Sequence, residues 1–268
     1  MSEHASETPA HLIALDVGNT RVKWGRFAQG QLVDSASLPL DPRANDDQAD
    51  MWNLPAPAVT GEIASRWCLA SVNPLGSDPL LGWLRQRGET DVVVLEDPAE
   101  LPLRVDLEKP QAVGIDRLLN AVAVNARRPA GQPALVVDAG SAITVDAVSE
   151  NGAFLGGAIA VGLGMGARAL HEFTYWLPLL EVTEVPVAIG KSTPEAMRSG
   201  LFWGVIGSIH ELLRRQRALF SSEPCVYLTG GDAATLAPYL DQVTELVPNL
   251  TLQGIHLSWQ HVRARRAR

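Results

Sequence analysis

Two short stretches set an acid, a glycine and a small polar residue in a row between apolar runs. They are LIALDVGNTRVKWGRF at residues 12–27 and ALVVDAGSAITVDAV at residues 134–148. In the first, Asp16 is followed by Val17, Gly18, Asn19, Thr20, Arg21 and Val22, and then by Lys23. An ordinary strand pair has no use for an acid at that point, whereas a phosphate site does. Glycines such as Gly18 and Gly140 let backbone N–H groups come close to phosphate oxygens. Asn19, Thr20 and Ser141 add side-chain donors, and Lys23 adds positive charge. Asp16 and Asp138 would repel a phosphate directly, but make sense across a cation such as hydrated Mg2+ or a monovalent ion. A single Asp-Gly turn is an everyday strand end. Here the spacing from Asp16 to Gly30 is repeated from Asp138 to Gly152, which indicates duplicated units. A nucleotide held by the two would meet one hairpin from each.

The elements that must carry these residues follow from the apolar periodicity. Strands are expected at 12–17, 21–28, 31–38, 65–72 and 91–96, with a turn at Gln29-Gly30. Residues 41–60 are polar with three prolines and read as loop or ragged helix. Helices are expected over 78–88 and 114–128, with a proline-rich connection between 97 and 112. Three more strands fit within 133–160, then helical stretches around 164–176 and 194–219. CVYLTGGDA, from Cys225, reads as a strand ending in a glycine turn, and a further helix starts at Ala233. Strands and helices in this order make a mixed α/β protein, divided at 1–112 and 113–268.

Composition excludes several classes. The net charge of −8 argues against direct nucleic-acid binding or membrane-surface attachment, which need a basic face. The tail HVRARRAR, residues 261–268, runs against that balance and reads as a helix end or terminus. Cys68 and Cys225 form neither a disulfide framework nor a CxxC site, which fits a reducing, cytoplasmic setting. The polar, acidic N-terminus is no signal peptide, and the uncharged run 152–167 is shorter than the ~20 residues a spanning helix needs.

Other motifs fall short. GKS at 190–192 lacks the P-loop cradle, because Val185 stands where the loop needs glycine. GLGMGA at 162–167 fits a dinucleotide fingerprint, but Pro178 interrupts the strand that should follow. His171-Glu172 and His210-Glu211 have no second histidine at zinc spacing. The seven tryptophans are scattered and read as core and interface fillers.

DVGNTRVK, GIDR, DAGSAITVD, GGAIAVGL, TYWLP and GKST occur in that order. The chain resembles the type III pantothenate kinases from about residue 12 to about residue 245, and D-x-G-N-T-x-x-K together with G-x-D-R is the specific part. The resemblance implies two duplicated ribonuclease-H-like domains of the actin-like ATPase superfamily, with the nucleotide in the cleft between them. It implies phosphorylation of pantothenate by ATP with Mg2+, the first step toward coenzyme A, in a homodimer that needs K+ or NH4+. Carried over by position, Asp16, Val17, Gly18, Asn19, Thr20, Arg21, Val22 and Lys23 would be the ATP phosphate loop, with Ser141 a further ATP contact. Asp138 would ligate the monovalent cation. Gly114, Ile115, Asp116 and Arg117 would hold pantothenate together with Thr193, and Asp116 would be the catalytic base. TGGDA at 229–233 resembles the superfamily's glycine turn near adenosine. The chain departs from the family at Ser141 (usually threonine), Val161 (usually proline) and Leu107, where a tyrosine commonly contacts substrate. Two alternatives stay open: a non-catalytic transcription accessory protein on the same fold, and a kinase for another small alcohol.

Overall fold

Six consecutive residues of the first strand, β1 (Leu12–Val17), are buried, as expected of a strand covered on both faces. The computed structural model describes residues 11–40 and 66–267. The N-terminal ten residues, the proline-bearing segment 41–60 and Arg268 lie outside the described residues. β1 runs antiparallel to β2 (Arg21–Ala28), which pairs antiparallel with β3 (Gln31–Pro39). Gln29 and Gly30, at φ of 52° and 81°, make the tight turn between β2 and β3. On its other side β1 lies parallel to β4 (Arg66–Ser71), and β4 to β5 (Val92–Leu95), giving the order β3-β2-β1-β4-β5. Helix α1 (Pro74–Gln86) places Leu80 and Leu84 in the core with Ile13, Leu15, Trp24, Trp67 and Leu69.

The second sheet repeats the plan. β6 (Ala134–Ala139) pairs antiparallel with β7 (Ala142–Val148), and β7 with β8 (Phe154–Val161). β6 is parallel to β9 (Cys225–Thr229), and β9 to β10 (Glu245–Leu246). The order β10-β9-β6-β7-β8 matches the first sheet strand for strand. Helix α3 (Leu163–Glu172), the long α4 (Thr193–Arg217) and the single-turn α5 (Ala233–Leu236) belong to this half, and Phe202, Ile206, Ile209 and Leu213 of α4 fill its core.

Two more helices complete the chain, α2 (Ile115–Asn125) and α6 (Leu250–Arg266). The chain divides into two compact units that are not contiguous. The first holds the described residues up to Pro102, Gln111–Ala123 and the segment from Thr251 onward; the second holds Leu103–Pro110 and Val124–Leu250. A single cut between 112 and 113 therefore differs from the contacts: most of α2 and nearly all of α6 pack with the first sheet.

Several boundaries differ from the expectation. α1 starts at Pro74 rather than 78, because a proline suits the first helical position and Asn73 supplies the extended cap residue. α3 ends at Glu172, and Phe173, Tyr175 and Trp176 leave it exposed. The helix expected from Ala233 is one turn of α5 and a 3-10 turn over Ala237–Tyr239. α6 carries the basic tail as its last turns. Its Arg263 Nη1 donates to both carboxylate oxygens of Asp91, at 3.0 and 2.9 Å. Among the described residues, no helix is long and apolar enough to cross a membrane.

Candidate active site

In the first unit, the hairpin register sets Asp16 directly opposite Lys23, and the Lys23 Nζ lies 3.8 Å from Asp16 Oδ2. Asp16 is only 7% exposed, so a nearly buried carboxylate is brought to the carboxyl end of a central strand with a cation beside it. Gly18, Asn19 and Thr20 form the turn. The Gly18 N–H donates to the Arg21 carbonyl at 2.9 Å and closes that turn, so the glycine amide is already engaged. Val17 and Val22 are fully buried core residues and can meet a ligand only through their backbone. The Arg21 guanidinium donates to Ser37 Oγ at 2.6 Å and to the Ser37 carbonyl at 3.0 Å, which ties it to β3.

The parallel neighbour β4 ends beside β1. The Val72 N–H donates to the Val17 carbonyl at 3.1 Å, and Asn73 Nδ2 reaches the Gly18 carbonyl at 3.4 Å. Ser71 Oγ accepts from the Asn73 N–H at 3.0 Å. Ser71 and Asn73 thus brace the Gly18 turn, a role missing from the expected site; the signal was the turn at Asn73-Pro74 after a buried strand. A Cβ placed on Gly114 would lie 3.6 Å from Val72 Cγ1 and 2.6 Å from Asp116 Oδ1. Glycine therefore lets the start of α2 come against β4 with the Asp116 carboxylate folded back over it. Asp116 Oδ1 accepts from the Arg117 N–H at 2.8 Å, where the helix N-terminus favours a negative charge. Ile115 is buried and anchors the first turn. The tertiary fold thus brings GIDR and the Asp16–Lys23 hairpin into one compact unit, both beside the end of β4.

The second unit shows a related layout. Asp138 pairs with Thr144 across the β6–β7 hairpin, and Gly140 and Ser141 make a turn one residue shorter than the first. The Gly140 N–H donates to the Ala142 carbonyl at 3.1 Å, again closing the turn. The demanding glycines are elsewhere. A Cβ on Gly162 would sit 2.4 Å from the Gly140 carbonyl oxygen, and one on Gly230 would sit 2.3 Å from that of Ala139. Gly162 is the residue before α3, and Gly230, at φ 104°, follows β9. Both press bare backbone against the Asp138 hairpin. The Asp232 N–H donates to the Ala139 carbonyl at 2.9 Å, and burial raises the Asp232 carboxyl above its usual pKa. In each unit the acid sits where two parallel strands end side by side, the usual position of ligand crevices in α/β sheets.

Thr193 is the exposed first residue of α4 and is placed by a separate device. Ser192 Oγ accepts from the Glu195 N–H at 3.4 Å, Glu195 Oε2 accepts from the Lys191 N–H at 2.7 Å, and Gly190 lies against the Ala196 amide. GKST is therefore a helix cap in this fold. GLGMGA does enter a helix after a strand, but no strand follows between residues 173 and 192. Leu107 lies against Gly156, whose φ is 101°, at 3.4 Å from the position of an added Cβ.

Comparison with known proteins agrees with this layout. The family model for type III pantothenate kinase matches residues 12–215. A type III pantothenate kinase of Moorella thermoacetica is 32% identical over 257 residues, covering 93% of this chain and 98% of that one. Among solved structures, a Baf family protein from Campylobacter jejuni superposes with a TM-score of 0.58 at 21% identity, covering 96% of this chain and all of that one. MreB 5 of Spiroplasma citri does so with a TM-score of 0.50 at 11% identity, covering 96% and 98%. The fold is the actin-like α/β fold with two matching sheets. On the extent of the family match and the identity to its relatives, the chain belongs to the type III pantothenate kinase family.

Proposed function

We propose that the chain transfers the γ-phosphoryl group of ATP to the hydroxyl of pantothenate, giving 4'-phosphopantothenate, the first step of coenzyme A biosynthesis. The observation that carries this reading is the sharing of one compact unit by the Asp16–Lys23 hairpin and the Asp116 helix start, in a chain of this family. The donors suit a phosphate: Lys23 supplies charge, and the turn residues Asn19 and Thr20 supply polar groups. Ser141 is a further hydroxyl for ATP on the second hairpin. Asp16, nearly buried, suits a place beside hydrated Mg2+, which when bound neutralises phosphate charge. Asp138 is the residue we assign to a monovalent cation, K+ or NH4+.

In the reaction, Gly114, Ile115, Asp116 and Arg117, with Thr193, hold pantothenate. Asp116 accepts the hydroxyl proton while the new O–P bond forms and the bond to the ADP leaving group breaks. The Arg117 N–H donates to Asp116 Oδ1 and holds the carboxylate's orientation at the helix start. We place the enzyme in the cytoplasm. The exposed Phe173, Tyr175, Trp176 and Ile189 support a homodimer, because apolar side chains of that size are normally covered.

The test is ADP release with ATP, Mg2+ and pantothenate, in K+ and then in Na+ alone. Turnover that requires pantothenate and rises with K+ supports the reaction and the Asp138 assignment together. Turnover without cation preference removes Asp138 from that role. ATP binding without pantothenate-dependent turnover overturns the proposed reaction.

A further inference from the structure

The last helix of the chain returns to the first unit and packs against both elements that carry the candidate site there, β2 and α2. On one side, α6 meets β2 just beyond Lys23. Leu252 Cδ1 lies 3.0 Å from where a Cβ on Gly25 would be, and the His256 ring stacks flat on Phe27, with centroids 4.4 Å apart and planes 2° from parallel. On the other side, α6 meets α2 just beyond Asp116. A Cβ on Gly254 would sit 2.0 Å from the Leu119 carbonyl oxygen, so the two helices are in backbone contact. Beside that contact Thr251 Oγ1 donates to Asn120 Oδ1 at 3.0 Å, with both residues buried at 4% and 1% exposure. Asn120 is four residues beyond Asp116, on the same side of α2.

From this we infer that α6 is a brace that sets Asp116 against the Lys23 hairpin, and that Asn120 and Thr251 are positioning residues for phosphoryl transfer. The inference rests on the kinase reading above. Apolar packing would hold α6 in place without choosing its register. A directional hydrogen bond between two buried side chains does choose it, because a slip of one residue breaks the bond in a place that water does not reach. Close helix contact through Gly254 transmits that register to α2. A displacement of about 1 Å in a reacting group is enough to reduce a rate by roughly 10²-fold.

The experiment compares Thr251→Val, Thr251→Ala and Thr251→Ser with the unaltered chain, measuring kcat, both KM values and amide hydrogen exchange over residues 114–121. Thr251→Val should lower kcat by about 10- to 100-fold, leave both KM values within about threefold, and speed exchange at the start of α2. Thr251→Ser, which keeps the hydroxyl, should restore most of kcat. Should Thr251→Val fail to fold, the split between Thr251→Ala and Thr251→Ser decides the same question. A loss confined to thermal stability, a rise in KM at constant kcat, or no recovery with serine overturns the positioning role. Absence of pantothenate-dependent turnover in the unaltered chain, by contrast, overturns the underlying reaction and this role with it.

Discussion

Replacing Gly230 by alanine should damage the Asp138 hairpin through a collision that can be located to the backbone of one residue, Ala139. The added Cβ would lie 2.3 Å from the Ala139 carbonyl oxygen and 2.4 Å from its carbon, about 1 Å short of ordinary contact, and both are backbone atoms. Gly230 also has φ of 104°, which an L side chain resists. Gly131 separates the two effects: its φ is 79°, and a Cβ there meets nothing within 4 Å. Gly131→Ala should show the backbone penalty alone, about 1–2 kcal/mol. Gly230→Ala adds an overpacking penalty of about 1–3 kcal/mol. Each kcal/mol lowers the thermal midpoint of a chain this long by about 2–4 °C, so Gly230→Ala should melt clearly below Gly131→Ala. Ala139 follows Asp138 directly, and relief of the collision moves that strand end by about 1 Å. ADP-release assays should therefore give kcat/KM for ATP down by about 10²-fold in Gly230→Ala and within about twofold of the unaltered value in Gly131→Ala. Equal midpoints and equal activities for the two variants would falsify the argument that bare backbone at Gly230 holds the hairpin.

Asp116→Asn keeps the shape of the side chain and removes the proton acceptor, so single-turnover product formation should slow by about 10²–10⁴-fold while ATP affinity, read by titration, stays within about threefold. Lys23→Met should raise KM for ATP by about tenfold or more, since a charged donor to phosphate is lost; unchanged KM would remove Lys23 from the phosphate loop. Burial holds the His256 imidazole below its usual pKa, so the folded chain binds fewer protons there than the unfolded chain. Stability should therefore fall as pH drops from about 6.5. His256→Gln should narrow the gap in thermal midpoint between pH 7 and pH 5.

The sequence on its own determined the local parts of this protein. The β1–β2 and β6–β7 hairpins are written in strand runs and glycine turns, and their registers are set by a few neighbouring residues. That is why the hairpin carrying Asp16 and Lys23, and the repeat of the plan around Asp138, could be read directly, while the pairing of Asp16 opposite Lys23 came with the register. The cation beside Asp116 and the helix behind it were also local. Tertiary structure alone decided the rest. The parallel pairings β1–β4 and β6–β9 join distant segments, so although the turn at Asn73 is local, its pairing with the Gly18 carbonyl was not, nor was the pressure of Gly230 on Ala139. α6 was hidden for a different reason. Residues Thr251, Leu252, Gly254, Ile255, His256 and Ser258 are all buried, which spreads burial around the helix and erases the one-sided apolar stripe that would announce it. Its polar buried residues find their partners, such as Asn120 for Thr251, only when the chain's last segment folds back onto its first unit.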